Sequence, residues 1–280
     1  MWLRLLVGHL VKQAATQKMR GVVTDAVRGE MERSSLPPQG PCDVLFIFAL
    51  NAESGPLTDL LEESQYLKQP TFVERAGLLD GKRIVVAEVG VGQQAAAQGT
   101  VDCLALHQPR WVVSAGFASA LVDGLNKGHL LMASEIVDTG GRSLLTDLKI
   151  DTATLGPSVH VGRLLTVDAL IREPAEKRQL AEQHGAVACD MESLAVAEVC
   201  RQAGIPLISV RVISDTVDDR LPPEIEKLLA EKSLVGKLGT AAGAILNRPS
   251  TLGDMWQLYE DALKCSKKLA KFLRSMLPQM

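Results

Sequence analysis

Short apolar runs alternate with helical patterns along most of the chain after residue 41. The first run, Val44–Leu50, is apolar without interruption, which is typical of a strand buried on both faces of a sheet. Between such runs, apolar residues recur every three or four positions, which indicates amphipathic helices. The predicted strands are Val44–Leu50, Ile84–Val89, Trp111–Ala115, Leu130–Val137 and Leu207–Ile213, and the predicted helices are Gln93–His107, Pro174–His184 and Glu192–Ala203.

This alternation of strands and helices predicts an α/β fold. We expect a single-domain three-layer αβα sandwich with a central mixed, mainly parallel twisted sheet. In sheets of this kind ligands bind beyond the carboxyl ends of the strands. Residues that directly follow the predicted strands are therefore the first candidates for chemistry.

Both ends of the chain carry helical patterns outside this alternation. Residues 1–34 form one amphipathic pattern, and the proline- and serine-rich residues 34–41 predict a linker. A second helix is predicted from about Leu252 to Leu277, apolar on one side and rich in lysine on the other. We therefore expect an N-terminal helix and linker at 1–40, a catalytic domain at 41–247 and a C-terminal basic helix at 248–280.

Composition narrows the class of protein. A net charge of −3 and a pI near 6.0 give no general attraction for nucleic acid. Five scattered cysteines without a CxxC pair favour a reducing compartment, and neither cysteine nor histidine spacing suggests a metal. No apolar run reaches the roughly 18 residues of a membrane-spanning helix, and the first 20 residues favour an amphipathic helix over a signal peptide. We expect a cytoplasmic protein without a metal or cofactor.

Carboxylates stand after predicted strands or at helix starts. Glu53 follows the first strand, Asp190 and Glu192 precede an amphipathic helix, and Asp215 ends the run LISVRVISD. Carboxylates at such positions are held by rigid backbone and face the ligand crevice. Each of them, and Asp190 above all, is also compatible with a helix cap or a solvated loop acid.

Two of these segments together resemble the nucleoside phosphorylase/nucleosidase superfamily. Cys189–Ser193 (CDMES) resembles its (E/D)-M-E segment, and Arg211–Asp215 (RVISD) resembles its R-x-I-S-D segment. The motifs match best the branch of methylthioadenosine/S-adenosylhomocysteine nucleosidases, and the resemblance runs from about Cys42 to Asn247. Further segments that resemble the family are Ala49–Glu53, Val89–Gly92 with Ala95–Ala97, a glycine turn at Ser114–Leu121, and Thr166–Ile171.

The resemblance implies cleavage of the bond between a purine base and its ribose. Asp215 would protonate N7 of the base, with Ser214 orienting it, and Glu53 would position water on the opposite face of the sugar. An acid and a base on opposite faces is the arrangement of inverting glycosidases. The implied substrate-binding residues are Glu192, which would accept hydrogen bonds from ribose hydroxyls, and Met191, Leu170, Ile171, Phe117, Ala118 and Gly92.

Departures from the family pattern bear on the nucleophile and the substrate. No arginine falls in 90–98, and Phe117 stands where a small hydroxyl residue is common. A phosphate dianion needs cationic partners, so water is the expected nucleophile, with phosphorolysis as the alternative. Leu170 replaces an aromatic residue that often stacks on adenine, and Ser119 replaces a glycine. The identity of the nucleoside therefore stays open, with a futalosine-type substrate among the alternatives.

The amphipathic ends allow two interpretations. They would pack against the body or a second copy of the chain, or they would lie on an anionic membrane surface. One branch of the superfamily removes adenine from adenosylhopane, a membrane lipid precursor, and such a substrate would explain both the ends and Leu170. Since relatives commonly pair, we expect a homodimer.

Two alternative functions lie outside the nucleoside phosphorylase/nucleosidase class. Gly90–Ala95 satisfies GxGxxA after a strand, which suggests a dinucleotide-binding oxidoreductase, but the next strand ends in Gly116 rather than in an acid for a ribose hydroxyl. A non-catalytic nucleoside-binding protein is the other reading. The presence of Glu53, Glu192 and Asp215 together speaks against it.

Overall fold

A computed structural model describes residues 40–148, 156–222, 225 and 251–280, with 251–259 described by their backbone alone. Its strands and helices alternate as the sequence predicts. The strands are β1 Gly40–Phe48, β2 Glu62–Lys68, β3 Val73–Leu79, β4 Lys82–Glu88, β5 His107–Ala120, β6 Leu130–Asp138, β7 Ser143–Leu145, β8 Val159–Thr166, β9 Ala188–Asp190 and β10 Leu207–Asp215. The helices are α1 Asn51–Thr58, α2 Gln93–Leu106, α3 Pro174–His184, α4 Ser193–Ala203 and α5 Thr251–Met276, followed by a 3₁₀ turn at Leu277–Gln279.

The sheet is mixed, as predicted. The strand order is β10-β6-β8-β9-β5-β1-β4-β3-β2, with β7 paired to β6 outside this order, and an additional pairing joins β10 to β5. The central strands β4, β1, β5 and β10 pair in this order and run parallel to one another, whereas β2 and β3 form an antiparallel extension at the edge of β4. Because β5 pairs with β1, β9 and β10, strands β5, β10, β6, β8 and β9 close into a ring of pairings.

Helices cover both faces of this sheet, which gives the three layers. Alternate residues of β1 point to opposite faces, as the period of a strand requires. Leu45 and Ile47 pack in one cluster with residues of α2 and α4, while Phe46 and Phe48 pack in a second cluster with residues of α5. The uninterrupted apolar run in β1 is thus explained by burial on both sides.

The C-terminal helix lies where the sequence predicts it. Its apolar residues Cys265, Leu269 and Leu273 are buried against the sheet, whereas Lys267 and Lys271 on the other side are exposed. In this structure the apolar face of α5 is therefore occupied by the body of the protein. No helix among the described residues is long and apolar enough to cross a membrane.

Several boundaries of strands, helices and the linker that the sequence predicts are wrong. The predicted glycine turn at 114–121 is instead mostly strand, since β5 continues through it to Ala120. Asp190 ends β9 rather than opening a helix, and α4 begins at Ser193. Strand β1 begins at Gly40, so the end of the predicted linker belongs to the sheet. The predicted N-terminal helix and the rest of the linker lie outside the described residues.

Candidate active site

The ends of β5, β9 and β10 and the start of α1 surround a cavity of about 410 Å³. Nine of the ten residues that the resemblance implies for the site line it. The tenth, Gly92, lies behind the lining, and its backbone N–H donates to Oε1 of Glu192 at 2.7 Å. The nine are Glu53, Phe117, Ala118, Leu170, Ile171, Met191, Glu192, Ser214 and Asp215.

Asp215 reaches the cavity from the end of β10. The register of β10 against β5 shifts between Ile213 and Asp215, so that Asp215 pairs with Ser119, and an irregularity of this kind changes the direction of a side chain. Oδ1 of Asp215 accepts hydrogen bonds from the hydroxyls of Ser214 at 2.7 Å and of Ser119 at 3.0 Å. Oδ2 accepts from Nζ of Lys177 at 2.5 Å. The side chain is fixed on both oxygens.

Glu53 stands in the first turn of α1, where free backbone N–H groups favour a carboxylate. Oε2 accepts from the N–H groups of Ala49 at 3.1 Å and Leu50 at 2.9 Å, and Oε1 accepts from that of Phe117 at 2.8 Å. Burial raises the pKa of Glu53, and the bond from Phe117 is the largest opposing effect. The group is a buried carboxyl on rigid backbone, which suits a proton acceptor.

Glu192 precedes α4 and faces the other carboxyl groups. Burial raises its pKa to about 8, and the negative charge of Asp190 acts in the same direction. The bond from the Gly92 N–H and the charge of Arg211 oppose this rise. One oxygen of Glu192 is bound to Gly92, and the carboxyl group as a whole lines the cavity.

Asp190 has a structural role in this arrangement. Its Oδ2 accepts the first backbone N–H of α4, from Ser193 at 3.0 Å, and contacts Nη2 of Arg211 at 2.7 Å. The hydroxyl of Thr166 donates to its other oxygen at 2.8 Å. These contacts agree with the interpretation of Asp190 as a cap, since its side chain binds an N–H at the start of α4, three residues further along the chain.

Arg211 belongs to the RVISD motif, but its role becomes visible only in the structure. The structure buries it beside Asp190, with Nη2 also donating to the hydroxyls of Ser114 and Ser193, each at 2.8 Å. A Cβ on Gly116 would lie 2.6 Å from Oε1 of Glu53 and 2.8 Å from Nη1 of Arg211. The glycine at 116 is therefore required by the close approach of these two side chains.

Lys177 is the residue that sequence reasoning missed. A lysine in a helix is usually solvated, but Lys177 has no exposed surface. Its one signal in the sequence is its spacing of three and four residues from Leu180 and Ala181, which puts it on the apolar face of α3.

The charges around the cavity are uneven. Four acidic residues line it, and none of its lining residues among those described is a lysine or arginine. Arg211 and Lys177 do not line the cavity, and Nε and Nη2 of Arg211 and Nζ of Lys177 already donate to protein acceptors. A site of this kind can donate a proton, accept a proton and stabilise positive charge, but it offers little to a phosphate dianion.

The chain belongs to the Phosphorylase superfamily, because residues 43–152 and 144–241 match the sequence profile of that family. This confirms the family predicted from the motifs. The chain is 27% identical to the 5′-methylthioadenosine/S-adenosylhomocysteine nucleosidase of Shewanella loihica over 180 residues, which cover 56% of this chain and 78% of the relative. It is also 27% identical to the enzyme of the same name from Shewanella oneidensis over 192 residues, which cover 60% and 80%.

Solved structures share the fold. The 5′-methylthioadenosine/S-adenosylhomocysteine nucleosidase of Helicobacter pylori, crystallised with butyl-thio-DADMe-Immucillin-A, superimposes with a TM-score of 0.62 at 20% identity, covering 86% of this chain and 99% of that one. The futalosine hydrolase of the same organism gives a TM-score of 0.62 at 19% identity, covering 86% and 98%. The α/β fold predicted from the sequence is therefore confirmed.

Proposed function

We propose that this protein is a purine nucleosidase, which hydrolyses the N-glycosidic bond of an adenine-type nucleoside. The observation that carries the proposal is the convergence of Glu53, Glu192 and Asp215 on one cavity. The named relatives from Shewanella are nucleosidases, which supports the same reaction class. A non-catalytic binding protein would have no need for three carboxyl groups at one site.

The surroundings of each group support the roles that the family resemblance implies. Asp215 protonates N7, so that the base leaves as a neutral molecule, while Ser214 fixes the orientation of the carboxyl group. Glu192 accepts hydrogen bonds from the ribose hydroxyls and, in its ionised form, stabilises the positive charge that develops on the sugar. Glu53 positions the water and accepts its proton. The apolar residues Met191, Leu170, Ile171, Phe117 and Ala118 enclose the sugar and the base.

Water is the proposed nucleophile. The described lining holds several carboxyl groups and no cationic side chain, so a phosphate dianion would find no opposite charge to pair with. The same acidic lining argues against a dinucleotide-binding oxidoreductase, because a dinucleotide carries a negatively charged pyrophosphate. The N–H of Gly92, in the GxGxxA turn, is bound to Glu192, so it is not free for a pyrophosphate.

A panel of nucleosides tests this proposal directly. Release of free base is measured with methylthioadenosine, S-adenosylhomocysteine, adenosine, a futalosine-type nucleoside and adenosylhopane, each with and without phosphate. The proposal expects release from at least one purine nucleoside at a rate that phosphate does not change. Phosphate-dependent turnover would establish the phosphorylase alternative instead. The panel also identifies the substrate. This is needed because Leu170 stands where the family often has an aromatic residue that stacks on adenine.

A cytoplasmic homodimer is part of the same proposal. The five cysteines are all free and buried, which supports a reducing compartment. Light scattering of the purified protein measures the mass. A monomeric mass would contradict the dimer without affecting the proposed reaction.

A further inference from the structure

A buried lysine lies directly behind the carboxyl group that faces the cavity. Nζ of Lys177 is 2.5 Å from Oδ2 of Asp215, 2.8 Å from the carbonyl oxygen of Thr216 and 2.9 Å from that of Asp219. The side chains of Lys177 and Asp215 are 0% and 4% exposed. A buried charge of this kind is costly unless it is paired and hydrogen-bonded, and here both conditions are met.

The contacts match the donors of an ammonium group. An ammonium group has three N–H donors, and Lys177 has three acceptors. Two of them are backbone carbonyls, which can only accept, so they take two N–H groups. The third N–H points to the carboxyl group. The arrangement is that of a charged lysine with all donors in use.

The carboxyl group of Asp215 has one position left. A carboxylate offers about four lone-pair sites, and three are filled by Ser119, Ser214 and Lys177. The remaining site is the one available for a proton that faces a bound base. Lys177 thus fixes the carboxyl group from behind without occupying the site that the reaction needs.

We propose that Lys177 is the positioning residue of the catalytic acid and stabilises the carboxylate that remains when Asp215 has given up its proton. The inference rests on the proposed role of Asp215. The O–H bond of Asp215 breaks as an N–H bond forms at N7, and the base leaves with the electron pair of the glycosidic bond. Water then adds to the sugar and loses a proton to Glu53, and solvent exchange restores both carboxyl groups.

A purely structural role for Lys177 would be to hold the loop after β10. Arg178, the next residue of α3, also reaches that loop, where it pairs with Asp218 at the surface. Arg178 does not contact Asp215, so Arg178→Met is a matched control that weakens the connection between helix and loop alone. The other ionisable groups around the pair are Glu176 on α3, Asp219 in the loop, and Cys189 and Asp190 on β9.

The test compares the pH dependence of kcat in wild-type protein, Lys177→Met and Arg178→Met. Activity that requires a protonated acid falls at high pH. Removal of the neighbouring positive charge favours the protonated form, so the descending limb of the Lys177→Met profile moves to higher pH. Its maximal kcat falls about tenfold or more, since the new carboxylate is no longer stabilised, while KM changes little. Arg178→Met keeps the wild-type kcat, and the descending limb of its profile lies at the wild-type pH.

Lys177→Met leaves Asp215 buried without a charged partner and can fail to fold. In that case Lys177→Gln and Lys177→Arg are compared, because the first removes the charge and the second keeps it. The limb of Lys177→Gln must lie at higher pH than that of Lys177→Arg. The inference is refuted if the neutral variants keep the wild-type kcat and pH profile, or if Arg178→Met loses as much kcat as they do. In either case base release by the wild-type protein still supports the proposed function. No base release by wild type from any nucleoside refutes both.

Discussion

The backbone N–H of Gly92 donates to Oε1 of Glu192 across 2.7 Å, between residues that are one hundred positions apart in the sequence. The bond joins the turn after β4 to the start of α4. It fixes one oxygen of a carboxyl group whose pKa burial raises to about 8. The turn therefore serves to hold an acidic side chain in the cavity.

The raised pKa of Glu192 predicts a pH-dependent stability. The carboxyl group titrates near 4.5 when it is not perturbed and at about 8 in the folded protein. The folded state thus binds a proton that the unfolded state has lost, and this contribution to stability disappears as pH rises from about 4.5 to 8. Glu192→Gln removes the titration, so wild type should lose stability relative to this variant across the same range.

Thermal unfolding of wild type and Glu192→Gln between pH 5 and pH 9 measures this difference. The melting temperature of wild type should fall against that of the variant as pH rises. A difference that stays constant over the whole range would show that Glu192 is not perturbed in the folded protein.

Glu53→Gln should reduce both activity and stability. The glutamate accepts backbone N–H groups on both oxygens, and an amide would place its own NH₂ against at least one of these donors. We expect a loss of about 10²–10⁴-fold in kcat, the usual range for a missing base. Glu88→Gln is the control, since Glu88 also contacts α1 but does not line the cavity. Near wild-type kcat in Glu53→Gln would remove Glu53 from the mechanism.

Gly116→Ala should impair the site without a change in any polar group. The new methyl group would stand within 3 Å of Glu53 and Arg211, and one of them has to move. We expect a destabilisation of about 1–3 kcal/mol, as for other overpacked sites, together with a clear loss of kcat. Gly55→Ala in α1 is the control, because a Cβ there meets nothing within 4 Å. Equal stability of the two variants in denaturant unfolding would contradict the close approach.

The sequence predicts best the elements with strong hydrophobic patterns. Helix α3 begins and ends where the pattern places it, and the helix predicted from about Leu252 corresponds to α5. Strand β2 was missed because most of its residues are exposed and polar. Helix α1 was missed because its eight residues include Gly55 and Pro56, which interrupt any helical pattern.

The site was predictable only where residues form motifs. Nine predicted residues line the cavity because they lie in or just after the last residues of strands whose ends the fold brings together. Lys177 belongs to no motif; its spacing places it on the apolar face of α3, but its contact with Asp215, 38 positions away in the sequence, is seen only in the structure. The role of Gly116 depends on the distance between Glu53 and Arg211, which no local pattern encodes.

The proposed acid is tested most directly by base release from the best nucleoside substrate, measured for wild type and Asp215→Asn side by side. The asparagine keeps an oxygen for Lys177 but has no acidic proton that it can transfer to N7. The variant should keep its circular dichroism spectrum and bind the nucleoside, while kcat falls by about 10²-fold or more. Release of the base by Asp215→Asn at the wild-type rate would contradict the account.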